Sequence, residues 1–200
     1  FSFRLEPRSR PNRIFMALCI SLAVWAFAYS FVYSASNKDA LWIWFRISSL
    51  GWCTIGGIGL HFFLVLAKKE KVLERWWIYF LLYSPALLFL YKVWTGVLTA
   101  TDFVWTDIGW IECGNPRSFW LWFYILHLAG CFVAGLYMTW QWSAKSTFMR
   151  EKKQGRIIIW SLIPSFSFGL VVNIVFPSVD IRVLPAISPI LSLIWAFGIY

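Results

Sequence analysis

Apolar positions along the chain gather into six long runs, at residues 14–33, 41–66, 76–95, 118–142, 157–175 and 184–200, with short polar segments between them. Most of these runs reach the roughly 20 residues that a helix needs to cross a hydrocarbon core of about 30 Å. No strand-like alternation or barrel period runs through them. A backbone in lipid must satisfy its own polar groups, and helices do this within one segment. The expected architecture is therefore all-α: a polytopic transmembrane helix bundle, with residues 1–200 forming a single transmembrane domain.

The polar segments fall into two kinds. One set carries Arg4, Arg8, Arg10 and Arg13, then Lys68, Lys69, Lys71 and Arg75, then Lys145, Arg150, Lys152, Lys153 and Arg156. The alternating set holds only Lys38, Arg117 and Arg182, while Arg46 and Lys92 lie inside apolar runs. Short cytoplasmic loops retain Lys and Arg. This places residues 1–13, 68–75 and 143–156 in the cytoplasm, residues 96–117 outside, and the chain in the inner (cytoplasmic) membrane as a multi-pass protein.

Composition agrees with that reading. With 60% hydrophobic residues, 14% charged residues and a mean hydropathy of +0.67, a soluble domain is excluded. A net charge of +9 would suggest nucleic acid in a soluble chain; here the loop asymmetry accounts for it, and the expected partner is the bilayer with its anionic inner-leaflet lipid. Cys19, Cys53 and Cys131 fall within apolar runs as small fillers, and Cys113 stands alone in the long outer loop. Their spacing matches no zinc or iron–sulfur site, so neither metal nor cofactor is expected. Residue 1 is not Met, and the last run is still apolar at Tyr200. A further helix before Phe1 and cytoplasmic sequence after Tyr200 are expected, making the six helices present six of seven.

The outer segment 96–117 carries Asp102, Asp107 and Glu112 against one cation, with Phe103, Trp105 and Trp110 between them. Tryptophan favours the membrane boundary, so the segment reads either as an interfacial cap or as a lid over a ligand pocket. Inside the membrane, ionisable and polar residues are costly and point to function. Arg46, about five residues into the second run, either snorkels outward or pairs with Asp180, Asp107 or Asp102. Asn173, late in the fifth run, faces the same outer region. Arg46, Asn173, Asp180, Trp105 and Trp110 are thus the candidate ligand-binding set. His61 and His127 are offset by about 11 residues on parallel runs, roughly 16 Å at helical rise, which argues against one haem held between them. Each is expected to be an interhelical hydrogen-bond partner.

Small residues mark expected helix contacts: Ala26, Ser30 and Ser34; Ser161, Ser165 and Gly169; Gly56, Gly57 and Gly59; Gly130 and Ala134. Pro164, Gly56, Gly57 and Pro185 are the candidate hinge positions, since a helix proline frees a carbonyl. No catalytic residues are expected. The chain shows no H-E-x-x-H, no phosphate loop and no paired intramembrane carboxylates, and its nine acids lie in loops or at helix ends. The segment is thus not expected to be an enzyme. The lack of a midplane acid also weighs against the alternative reading, a fragment of a secondary transporter or permease.

The chain resembles the seven-transmembrane N-terminal sensor region found before bacterial histidine kinases and diguanylate cyclases. The resemblance lies in Pro11-Asn12-Arg13, Trp25, Trp44-Phe45-Arg46 followed by Gly51, Ile163-Pro164, Asn173, and Leu184-Pro185 through Pro189 to Tyr200. It spans nearly all 200 residues. It implies an extracytoplasmic N-terminus, seven helices and a covalently attached cytoplasmic output module, a histidine kinase or diguanylate cyclase. A homodimer and an unidentified small-molecule or membrane stimulus, detected outside or within the membrane, complete the expected picture of a sensor that relays through its last helix.

Overall fold

The computed structural model describes residues 9–98, 102–106, 109–113 and 117–170. Five long helices carry the fold: α1 (Arg10–Tyr33), α2 (Lys38–Leu66), α4 (Trp76–Trp94), α5 (Phe119–Lys145) and α6 (Met149–Leu170). A single turn, α3 (Glu70–Leu73), bridges α2 and α4. The architecture is an all-α membrane bundle. Four helices, α1, α2, α4 and α5, are long and apolar enough to cross a bilayer. The sixth apolar run, 184–200, lies outside the described residues.

Helix starts follow local chemistry. Pro11 sits in the first turn of α1, where its missing N–H costs nothing. Asn37 caps α2 by accepting the Ala40 N–H at 2.8 Å, and Ser118 caps α5 by accepting from Leu121. α6 starts at Met149, eight residues before its apolar run, because Arg150-Glu151-Lys152-Lys153-Gln154 are all good helix formers. The apolar run marks what lipid can cover, not where the helix begins.

The helix α2 is the hub, packing against α1, α4 and α5, while α6 packs on α5. Backbone approach explains the arrangement. A side chain at Gly51 would run into the backbone of Ser21 and Trp25 on α1, and one at Gly57 into the Leu82 carbonyl on α4. At Gly135 on α5 it would overlap the Phe63 ring of α2. These notches let helices meet closely where lipid supplies no hydrophobic drive. Gly59, in contrast, has open space beyond its Cα. Two of the expected stripes lie elsewhere than expected: Ala26 and Ser30 are exposed on α1, whose buried face is Leu18, Ser21, Ala28 and Val32, and Gly130 on α5 is exposed as well. In this chain the contact glycine of α5 is Gly135.

The segment 96–117 is not wholly a loop. It contains an antiparallel hairpin, β1 (Asp102–Thr106) paired with β2 (Gly109–Cys113) in the register Asp102↔Cys113 through Thr106↔Gly109. Gly109 has φ +104, a conformation that L side chains rarely adopt, and its Cα lies against the Tyr33 backbone at the end of α1. Phe103 is buried with Val32, Leu41, Phe45, Trp52, Phe89, Val93 and Leu98 in a core at the hairpin end. A second core, Leu18, Phe62, Phe63, Ile158 and Leu162, fills the opposite half.

Candidate functional site

The hairpin end gathers several of the sequence-predicted residues. The Trp110 indole Nε1–H donates to the Ala35 carbonyl at 2.8 Å, tying β2 to the α1–α2 turn. Trp105 is 60% exposed and meets Trp110 edge to face at 5.4 Å, so it decorates the hairpin instead of anchoring it. Phe103 instead supplies the anchor, packing against Trp42 and Phe45, each with a ring separation of 5.2 Å. In the sequence Phe103 is one aromatic residue among several in this segment, with no local signal to set it apart from the exposed Trp105. Ser118 Oγ donates to the Leu98 carbonyl, linking the segment after α4 to the start of α5. Around Phe103 the arrangement is a packed aromatic cap.

At this end the structure removes one of the three acids that the sequence offered to Arg46. Asp102 takes Lys38, at 2.9 Å, and not Arg46. The Lys38 ammonium, hydrogen-bonded to this carboxylate, together with the Phe103 N–H, holds the Asp102 carboxyl below its ordinary range. Arg46 is exposed on α2, with no ion pair among the described residues. Lys92 lies over the Trp120 ring at 4.2 Å, joining the end of α4 to the start of α5 by a cation–π contact. Asp107, Asn173, Asp180 and Pro185 lie outside the described residues.

Deeper in the bundle, His61 and Tyr83 share a hydrogen bond of 2.7 Å between α2 and α4. His127 on α5 faces Gly56, whose missing side chain leaves room for the imidazole, and lies tilted against Phe89 with ring centroids 5.4 Å apart. Cys131 Sγ lies 3.7 Å from His127 Nε2 on the same helix. Tyr124 donates to the Trp52 carbonyl at 3.1 Å, joining α5 to α2. The two histidines thus belong to different contacts, α2–α4 and α5–α2. Among the described residues no three His, Cys, Asp or Glu side chains converge as metal ligands would. Pro164 is exposed within α6, whereas Gly56 and Gly57 sit at the α5 and α4 contacts of α2.

The opposite end is basic and is braced across helices. Lys68 closes α2 at φ 55, with its N–H bonded to the Val65 carbonyl and the Lys69 N–H reaching back to Leu64. Glycine is the usual residue at such a left-handed cap, and a side chain there costs about 1 kcal/mol. The lysine side chain makes a contact that glycine could not: Nζ reaches Glu151 of α6 at 2.9 Å. Ser146 Oγ also donates to Glu151, at 2.6 Å. The Ser146 hydroxyl and then Lys68 hold the Glu151 carboxyl below its ordinary range. One carboxylate thereby ties the ends of α2 and α5 to the start of α6.

No curated protein and no solved structure matches the chain. A family does match, described as the N-terminal 7TM region of histidine kinase, over residues 1–200. A bundle of apolar helices with one short hairpin at one end is in keeping with such a membrane sensory region. The chain belongs to the family of N-terminal 7TM regions of histidine kinases.

Proposed function

We propose that this domain detects a stimulus at its hairpin half and relays it through the last helix to a cytoplasmic histidine-kinase module. Family membership supports the sensory reading over a permease. The observation that carries the relay is the bracing of the hairpin. Trp110 holds it to Ala35 and Lys38 holds it through Asp102, so its displacement pulls on the turn joining α1 to α2. The α2 helix then contacts three neighbours at notches with no slack, and a shift at one contact must be accommodated at the others. A ligand moves such an equilibrium only by binding its two arrangements unequally.

In this reading Arg46 offers an exposed cation to an anionic ligand or to Asp180, with Asn173, Trp105 and Trp110 as neighbours in the outer half. Gly56, Gly57, Pro164 and Pro185 are the positions where helices yield. The positive-inside asymmetry supports placing the basic end in the cytoplasm and the hairpin outside. The test uses the full-length protein reconstituted in bilayers, with autophosphorylation as the readout. Arg46→Ala and Asn173→Ala are each expected to change basal or stimulated activity by severalfold with insertion intact. Unchanged signalling in both variants would remove the support for an outer site.

A further inference from the structure

The basic end holds a cavity of about 260 Å³, where the end of α2 (67–69), the end of α5 (141–146) and Glu151 of α6 converge. Lys68, Lys69 and Lys145 line it against a single carboxylate, and Glu151 is already engaged by Lys68 and Ser146. Lys69 and Lys145 have no acidic partner among the described residues. Trp142 forms another part of the wall. Two ammonium groups without a carboxylate partner, beside one carboxylate that is already engaged, leave the cavity positive. An anionic group with several acceptor oxygens, as a phosphate has, supplies what is missing.

The surroundings favour a lipid as its source. Trp76, Trp77 and Trp140 are exposed near this end, and Trp160 one turn beyond Arg156, as in the aromatic belt at headgroup level. The stretch of α5 next to the cavity leaves Val133, Tyr137 and Trp140 uncovered for acyl chains. Basic pockets between membrane helices are suited to anionic headgroups. We propose that this cavity binds the phosphate-bearing headgroup of an anionic phospholipid in the adjacent leaflet, bridging α2, α5 and α6. The proposal does not depend on what the domain senses, only on its place in the membrane.

The test is native mass spectrometry of the purified full-length protein titrated with phosphatidylglycerol and, separately, phosphatidylcholine. Wild type is expected to retain phosphatidylglycerol preferentially. Lys69→Gln and Lys145→Gln are each expected to weaken that retention about fivefold. The double Lys→Arg variant, which keeps both charges, should retain it. Lys71→Gln with Arg75→Gln, which removes two cations of the same end outside the cavity, should leave it within twofold of wild type. A loss no greater in the Lys69/Lys145 double glutamine variant than in that control would overturn the proposal. So would displacement of phosphatidylglycerol by inorganic phosphate with no preference over phosphatidylcholine, which would make a free anion the occupant.

Discussion

Two neighbouring glycines of α2 show what a single methyl group does in this bundle. At Gly57 it would meet the Leu82 carbonyl, a backbone atom of another helix that cannot rotate away. At Gly59 it would meet nothing within 4 Å. Gly57→Ala is therefore expected to destabilise the protein by about 1–3 kcal/mol, as overpacking does. Gly59→Ala should stabilise it by about 0.5–1 kcal/mol through reduced chain entropy and better helix propensity. Thermal melts of both variants in the same detergent check the pair, and equal effects would contradict the packing described. Asp102 offers a second residue-scale test. Its carboxyl is depressed chiefly by the Lys38 hydrogen bond, so the contribution of that pair is fully present above the ordinary carboxylate range. It is lost as pH falls through the depressed value. Lys38→Met should move the Asp102 midpoint up towards the ordinary value, as followed by carboxyl-carbon NMR; an unmoved midpoint would mean the pair is not formed in solution.

At the level of elements, the hairpin is the part with the most specific attachment. Trp110→Phe keeps the ring but removes the donor to Ala35, and should weaken docking by about 1 kcal/mol. Faster amide exchange in β1, β2 and the α1–α2 turn is the expected readout, whereas Trp105→Phe, at an exposed ring, should leave exchange unchanged. The hairpin also marks the limit of what the sequence discloses. Apolar runs of membrane length announced the long helices, because lipid enforces that composition. Phe103 and Trp110 were visible as aromatic residues near the interface, but five-residue strands carry too little periodicity to stand out beside runs of 20 or more. The Lys38–Asp102 pair joins residues 64 positions apart and no local rule predicts it; the sequence offers Asp102 only as one of three acids for Arg46. The glycines of α2 were legible as a contact surface, yet which neighbour each one meets followed only from the packing. Ala26 and Ser30 show the converse, a small-residue spacing on the exposed side of α1.

For the whole molecule, one asymmetry organises everything else: the hairpin and the Lys38–Asp102 pair at one end, and Lys68, Lys69, Lys71, Arg75, Lys145, Arg150, Lys152, Lys153 and Arg156 at the other. The alternation of helix directions forces this segregation, since α1 and α4 start, and α2 and α5 finish, at the basic end. Retention of cations on the cytoplasmic side is the expectation that orients the domain in the bilayer, and a stimulus detected by the hairpin is extracytoplasmic only with that orientation. Two cysteines test it, placed in full-length protein whose native cysteines have been replaced by alanine. Trp105→Cys should react with a membrane-impermeant thiol reagent in intact spheroplasts, because its side chain is exposed on the hairpin. Lys71→Cys should react only after the membrane is permeabilised. The reversed pattern would place the hairpin in the cytoplasm, so that Arg46 and the aromatic cap would face inward and the proposed extracytoplasmic sensing at this end would fail.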